Sequence, residues 1–147
     1  MRVVIQRVSR ASCIVEGKIT GQIGQGLCLF VGFCQEDDES ILPKVIRKIV
    51  NLRIFSDEEG KMNLSVLAVG GKILSISQFT LYASLAKGMR PGFSLAAKTD
   101  KARGLYEKSN ELLADQIEVQ TGIFQADMKI DLLNDGPVTI LLDSAEL

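Results

Sequence analysis

Two short runs in this 147-residue chain carry residue types suited to chemistry. Ser77-Gln78-Phe79-Thr80-Leu81 ends an otherwise apolar stretch, so its polar side chains must find hydrogen bonds or face a cleft. A strand end can also aim backbone N–H groups at a developing oxyanion. The second run is Asn134-Asp135-Gly136-Pro137-Val138-Thr139, a turn signal whose glycine lets the backbone approach a ligand closely. Each run has a plainer explanation on spacing alone. The first also reads as an alternating strand with satisfied hydroxyls, and the second as a simple chain reversal. The isomer of the Gly136–Pro137 bond does not follow from the sequence.

Composition narrows the chemistry. There is no histidine, which excludes Ser-His-Asp and Cys-His catalysis and any zinc site built on imidazole. The pattern predicts neither a metal site nor a cofactor. Cys13, Cys28 and Cys34 are odd in number, lack CxxC spacing and lie among apolar neighbours. They read as buried thiols of a reducing compartment. No run approaches the ~18 apolar residues of a membrane span, and Met1 to Arg7 lacks the long apolar core of a signal peptide. The expectation is a cytoplasmic protein without membrane attachment.

The elements that must hold the two runs can be read from pattern. Arg2 to Val8 and Ala11 to Glu16 read as strands joined by a short turn, and Glu16-Gly17-Lys18 turns the chain into Ile19 to Ile23. Gly26 to Phe33 is almost wholly apolar, as in a central strand buried on both faces. Ile41, Val45, Ile49 and Leu52 recur at helical spacing, with Pro43 in the first turn. A short strand at Arg53 to Ser56 and a strong one at Lys72 to Leu81 follow, and Tyr82 to Ser94 reads as a loop.

A second helix is expected over Thr99 to Ile117, with Thr99 as its N-cap, Ala102, Leu105, Tyr106, Leu112 and Leu113 inward, and Gly104 inside it. Ile123 to Leu133 and Val138 to Asp143 read as strands on either side of the Asn134–Pro137 turn. The length suits one domain over 1–147, and 46% hydrophobic residues suffice for a core. The fold class is α+β: a curved, barrel-like antiparallel or mixed sheet with two main helices.

Charge is nearly balanced, 17 Lys and Arg against 18 Asp and Glu, which argues against indiscriminate coating of nucleic acid. The distribution is uneven. Lys87, Arg90, Lys98, Lys101 and Arg103 are opposed only by Asp100, and Lys44, Arg47, Lys48 and Arg53 by no acid at all. Such runs suit a local grip on phosphates, though solvated surface explains them equally.

Taken together and in order, these runs resemble the D-aminoacyl-tRNA deacylase family. The matches begin with Met1-Arg2-Val3-Val4-Ile5-Gln6-Arg7-Val8-Ser9-Arg10-Ala11-Ser12 and include Arg53-Ile54-Phe55-Ser56-Asp57, Gly60-Lys61-Met62-Asn63-Leu64 and Ser77-Gln78-Phe79-Thr80-Leu81. They continue through Gly88-Met89-Arg90-Pro91, Gly122, Phe124, Ala126 and Met128 to Asn134–Thr139. Gly92 stands where a small polar residue is common in the family, a departure outside both main runs.

The resemblance implies a homodimeric enzyme that hydrolyses the ester of D-aminoacyl-tRNA, and of mischarged glycyl-tRNA. It implies that Gly136 and Pro137, as a Gly-cisPro motif, enter the partner's site and exclude L-amino acids. Ser77, Gln78, Phe79 and Thr80 would line the pocket with Met128, and Arg7 would orient the Gly-Pro turn. Backbone N–H groups near Gln78 and Phe79 would stabilise the oxyanion while the ribose 2′-OH helps activate water. The rival is Thr80 as nucleophile, for which no base is visible. Lys87 and Arg90 would hold tRNA phosphates. A non-enzymatic nucleic-acid-binding module and a generic esterase are the alternatives.

Overall fold

The computed structural model describes residues 1–147. Its spine is one long strand, β1 (Arg2–Val15), which borders β8 (Lys129–Asp143) along one side. On its other side the first half of β1 pairs with β3 (Gly26–Gly32) and the second half with β2 (Lys18–Ile23). The expected turn between Val8 and Ala11 is therefore absent. Ser9 and Arg10 are exposed, but the strand continues through them with irregular pairing to β8, and bends instead of reversing.

Beyond β3 the sheet continues with β6 (Lys72–Ser77) and β7 (Val119–Thr121), both in parallel pairing, so the sheet is mixed. It curls until β2 approaches β7. A Cβ on Gly21 would stand 2.7 Å from the Thr121 carbonyl oxygen, so only glycine permits that approach. β4 (Phe55–Ser56) and β5 (Met62–Leu64) form a separate short hairpin, smaller than the strand expected from Arg53.

β6 ends at Ser77, short of the expected Leu81. Phe79 to Tyr82 instead form a 3₁₀ turn capped by Gln78, whose N–H makes the last bond to β3. At the chain's end, β7 occupies Val119–Thr121, and residues 122–128 are not strand. β8 then runs unbroken through the Asn134–Pro137 segment expected to separate two strands.

Two helices cover one face of the sheet. α1 (Leu42–Asn51) buries Leu42, Val45, Ile46, Ile49 and Val50, while Ile41 and Leu52 of the expected stripe fall just outside it and are half-buried. α2 (Thr99–Ala114) buries Ala102, Leu105, Tyr106, Ser109 and Leu113, and it ends before Ile117. Thr99 is its first helical residue and Lys98 precedes it without a side-chain cap, so the expected Thr99 cap is not formed. Tyr106 ties α2 to the sheet by donating its hydroxyl to the Ser75 carbonyl at 2.8 Å.

The main core lies between sheet and helices and includes Ile5, Leu29, Ile46, Ile73 and Leu113. A smaller one inside the curl holds Val8, Cys13, Cys28, Leu74 and Ile76. Cys13 and Cys28 are buried as expected, and burial pushes the Cys28 thiol up to about 12. Cys34 is only half-buried. The Met1 ammonium is buried against Asp37 at 2.5 Å and also donates to Ser144 Oγ. No helix is long and apolar enough to cross a membrane.

Candidate active site

The parallel register of β3 and β6 brings Val31 beside Ser77, so both strands end at the same edge. A cavity of about 490 Å3 opens there, a size that suits a small-molecule or nucleoside-sized group. Val31 to Phe33, Ile76 and Ser77 form its floor, with Gln78 and Phe79 on one side. The opposite wall comes from Ala97, Thr99 and Ala102 at the start of α2 and from Phe124 to Met128. Arg103 fastens this wall: its guanidinium stacks 4.7 Å from the Phe124 ring centre and donates to Gln125 Oε1 at 2.9 Å.

Ser77, Gln78, Phe79 and Met128 are thus brought together, as expected of pocket-lining residues. The expected oxyanion donors are only partly free. The Gln78 N–H is already spent on the Val31 carbonyl at 2.7 Å, in continuation of the strand ladder. The N–H groups of Phe79 and Thr80 open a 3₁₀ turn, where the first donors have no partner within the turn itself.

Thr80 is exposed and does not line the cavity. Its hydroxyl accepts a short hydrogen bond from the Gln78 side-chain amide. An amide cannot remove a proton, so Thr80 lacks the base that a nucleophilic hydroxyl needs.

The second run sits elsewhere on the chain. Opposite the single residue Arg7, β8 carries four residues between its pairings at Asn134 and Thr139. Asp135 to Val138 therefore stand out as a bulge. Asn134 clamps its base, donating from Nδ2 to Thr139 Oγ1 at 3.0 Å and accepting from the Val138 N–H at 3.3 Å. Gly136 has φ +123°, a value that favours glycine, and the Gly136–Pro137 bond is cis.

Arg7 lies beneath, nearly buried. It donates from Nε to the Asp135 carbonyl at 3.2 Å and from Nη1 to the Ile54 carbonyl at 2.5 Å. Its Nε also lies 3.2 Å from the half-exposed Asp135 carboxylate. Gly136, Pro137 and Arg7 do not line the cavity of their own chain.

Of the expected basic group, Arg103 is committed to Phe124 and Gln125, and Lys101 donates to the Gln35 carbonyl at 2.6 Å. Lys87 and Arg90 are exposed on a loop pinned by reciprocal backbone bonds between Ser84 and Gly92. The expectation missed Thr99, Gln125 and Asp127 on the far wall. Their signal is weak: Gln125 needs a φ of +67°, which its residue type does not announce. No group of three or more His, Cys, Asp or Glu residues could hold a metal ion.

The architecture is thus a mixed, barrel-like α+β fold with a partly apolar cavity at a strand edge. The sequence matches the family described as D-Tyr-tRNA(Tyr) deacylase over residues 4–143. The chain belongs to that family, whose members are hydrolases acting on aminoacyl-tRNA. A solved structure described as "c-Myc DNA Unwinding Element Binding Protein" is 42% identical, with a TM-score of 0.92 over 97% of this chain and 98% of that one. Another, described as a "probable eukaryotic D-amino acid tRNA deacylase", shares the fold at 17% identity. Its TM-score is 0.81 over 96% of this chain and 97% of that one.

Proposed function

We propose that the protein is a homodimeric cytoplasmic editor that hydrolyses D-aminoacyl-tRNA, and mischarged glycyl-tRNA, by excluding L-amino acids. The carrying observation is the separation within one chain of the cavity at Ser77–Phe79 and the rigidly held Gly136–Pro137 bulge. In a dimer the bulge of each subunit enters the partner's cavity. Backbone carbonyls fixed there occupy the place of an L side chain, and the block needs no particular D side chain. Glycine has no Cβ to be rejected, so its ester is also cleaved. Arg7 positions the bulge, and Met128 lines the pocket.

Chemistry in this reading needs little from side chains. An aminoacyl ester is reactive, and its ribose 2′-OH helps activate water. The Phe79 N–H, at the open end of its 3₁₀ turn, stabilises the oxyanion beside Ser77 and Gln78. Lys87 and Arg90 hold phosphates near the ester without reading sequence.

The test incubates purified protein with D-tyrosyl-tRNA, glycyl-tRNA and a small activated ester, using Thr80→Ala in parallel. Loss of both tRNA esters, an untouched small ester and an active Thr80→Ala support the reading. Inactivity on every ester, with tRNA still bound, would instead favour a nucleic-acid-binding module. An inactive but folded Thr80→Ala would restore the nucleophile.

A further inference from the structure

Lys44, Arg47 and Lys48 recur at helical spacing on the exposed side of α1, opposite its buried Leu42, Val45, Ile46, Ile49 and Val50. Arg53 continues the stripe two residues past the helix end, with its Nε donating to the Asn63 carbonyl at 2.9 Å. None of the four is in an ion pair. The cations that are paired are the Met1 ammonium, Arg2, Arg7, Arg10, Lys61, Lys72, Lys108 and Lys129. In a chain of net charge −1, four neighbouring uncompensated cations create a local positive field.

The place of this stripe gives the field a use. Arg53 is adjacent to Ile54, whose carbonyl accepts from Arg7 Nη1, and the same guanidinium holds the Asp135 carbonyl. The stripe therefore starts two hydrogen bonds from the Gly136–Pro137 bulge and extends away along α1. Lys44 to Asn51 spans about 10 Å at the helical rise. Glu36, Asp38 and Glu39 lie before the other end of α1, and the acids near the bulge are mostly engaged: Asp135 faces Arg7, Asp57 accepts from the Glu59 and Lys61 N–H groups, and Glu59 pairs with Lys61, while Glu58 is exposed.

No large apolar side chain is exposed on α1. The face thus lacks the aromatic and aliphatic anchors of a protein interface, and it has no ring on which a base would stack. Flexible cations without such anchors suit a phosphate backbone, where contacts position without reading sequence.

We infer that Lys44, Arg47, Lys48 and Arg53 form a phosphate-binding surface for the acceptor stem of the tRNA whose ester lies in the partner subunit's cavity. This rests on the proposed entry of the Gly136–Pro137 bulge into that cavity. The stem leaving the site then passes along α1 of the subunit that supplies the bulge.

The test measures binding of uncharged tRNA across a salt series for the full-length protein, the K44Q/R47Q/K48Q and K44E/R47E/K48E variants, and K18E as a control. Lys18 is exposed at the β1–β2 turn, outside the surface. The glutamine variant is expected to lower the slope of log affinity against log salt by about 2–3, as for three lost phosphate contacts. The glutamate variant should weaken binding at least about tenfold at moderate salt, with K18E unchanged. An unchanged slope in the folded glutamine variant overturns the surface. So does equal competition by a DNA duplex, which would make the patch a general polyanion site.

Hydrolysis of D-tyrosyl-tRNA by the unmodified protein is followed alongside. Hydrolysis with an unchanged slope removes the surface and leaves the deacylase reading. Patch-dependent tRNA binding without hydrolysis keeps an RNA-binding surface and removes that reading.

Discussion

The Arg7 guanidinium lies directly under Gly136, so close that a Cβ added to Gly136 would stand 2.8 Å from Arg7 Nη2. One nearly buried cation thus supports the bulge, the Asp135 carbonyl and the Ile54 carbonyl together. Lysine keeps the charge but lacks the planar fork that reaches both carbonyls. Arg7→Lys should therefore fold, yet lose at least about tenfold in kcat/KM on D-tyrosyl-tRNA. Arg7→Ala should also cost about 1–3 kcal/mol in urea unfolding, since the buried Ile54 carbonyl loses its donor. Full activity in a folded Arg7→Lys would show that the bulge does not depend on this support.

Gly122 sets the space behind the cavity wall. A Cβ there would meet Met128 Sδ at 2.5 Å, Ile76 Cδ1 at 3.1 Å and Cys13 Sγ at 3.3 Å. Ile76 and Cys13 belong to the packed inner core, whereas Met128 is flexible and lines the cavity. Gly122→Ala is expected to push Met128 into the cavity and raise KM several-fold with little change in Tm. Adding Met128→Ala should restore KM.

Gly104 is exposed inside α2, and a Cβ there would meet nothing within 4 Å. Glycine inside a helix is less favourable than alanine, and the structure leaves open space for a methyl group here. Gly104→Ala should stabilise the protein by about 1 kcal/mol, read as a higher urea midpoint with an unchanged slope.

Asp143 supplies an acid-dependent contribution. Its hydrogen bond from Arg2 Nε at 2.9 Å, first among the causes, holds the carboxyl below its ordinary value despite partial burial. A lowered folded pKa means that the unfolded chain binds the proton more readily. The stabilisation is fully present above the ordinary carboxylate value of about 3.9 and fades as pH falls through the lower folded one. The gap in urea midpoint between the wild type and Asp143→Asn should be widest near neutrality and close below pH 3–4 (roughly the carboxylate range).

Elements that declare themselves by local pattern were legible. The apolar run of β3, the amphipathic α1 and the body of α2 lie where the residues place them. The pocket-lining Ser77–Phe79 and Met128 were legible through motifs. Features set by a distant partner were not. Ser9 and Arg10 read as a turn because they are polar, but β8 runs beside them and keeps the strand whole. Asn134–Pro137 likewise reads as a break, although pairing with β1 on both sides makes it a bulge. Phe79 to Leu81 follow a strand pattern, yet the chain turns into a 3₁₀ helix after Gln78 makes the last bond to β3. The far wall of Thr99, Gln125 and Asp127 comes from segments without a periodic signal, brought in by tertiary packing.

The most direct test of chiral editing compares initial rates of hydrolysis of matched D- and L-tyrosyl-tRNA at equal concentration. The proposed exclusion by Gly136 and Pro137 predicts rapid loss of the D ester while the L ester decays no faster than without protein. Equal loss of the two would contradict it, leaving a general aminoacyl esterase with no chiral role for the bulge.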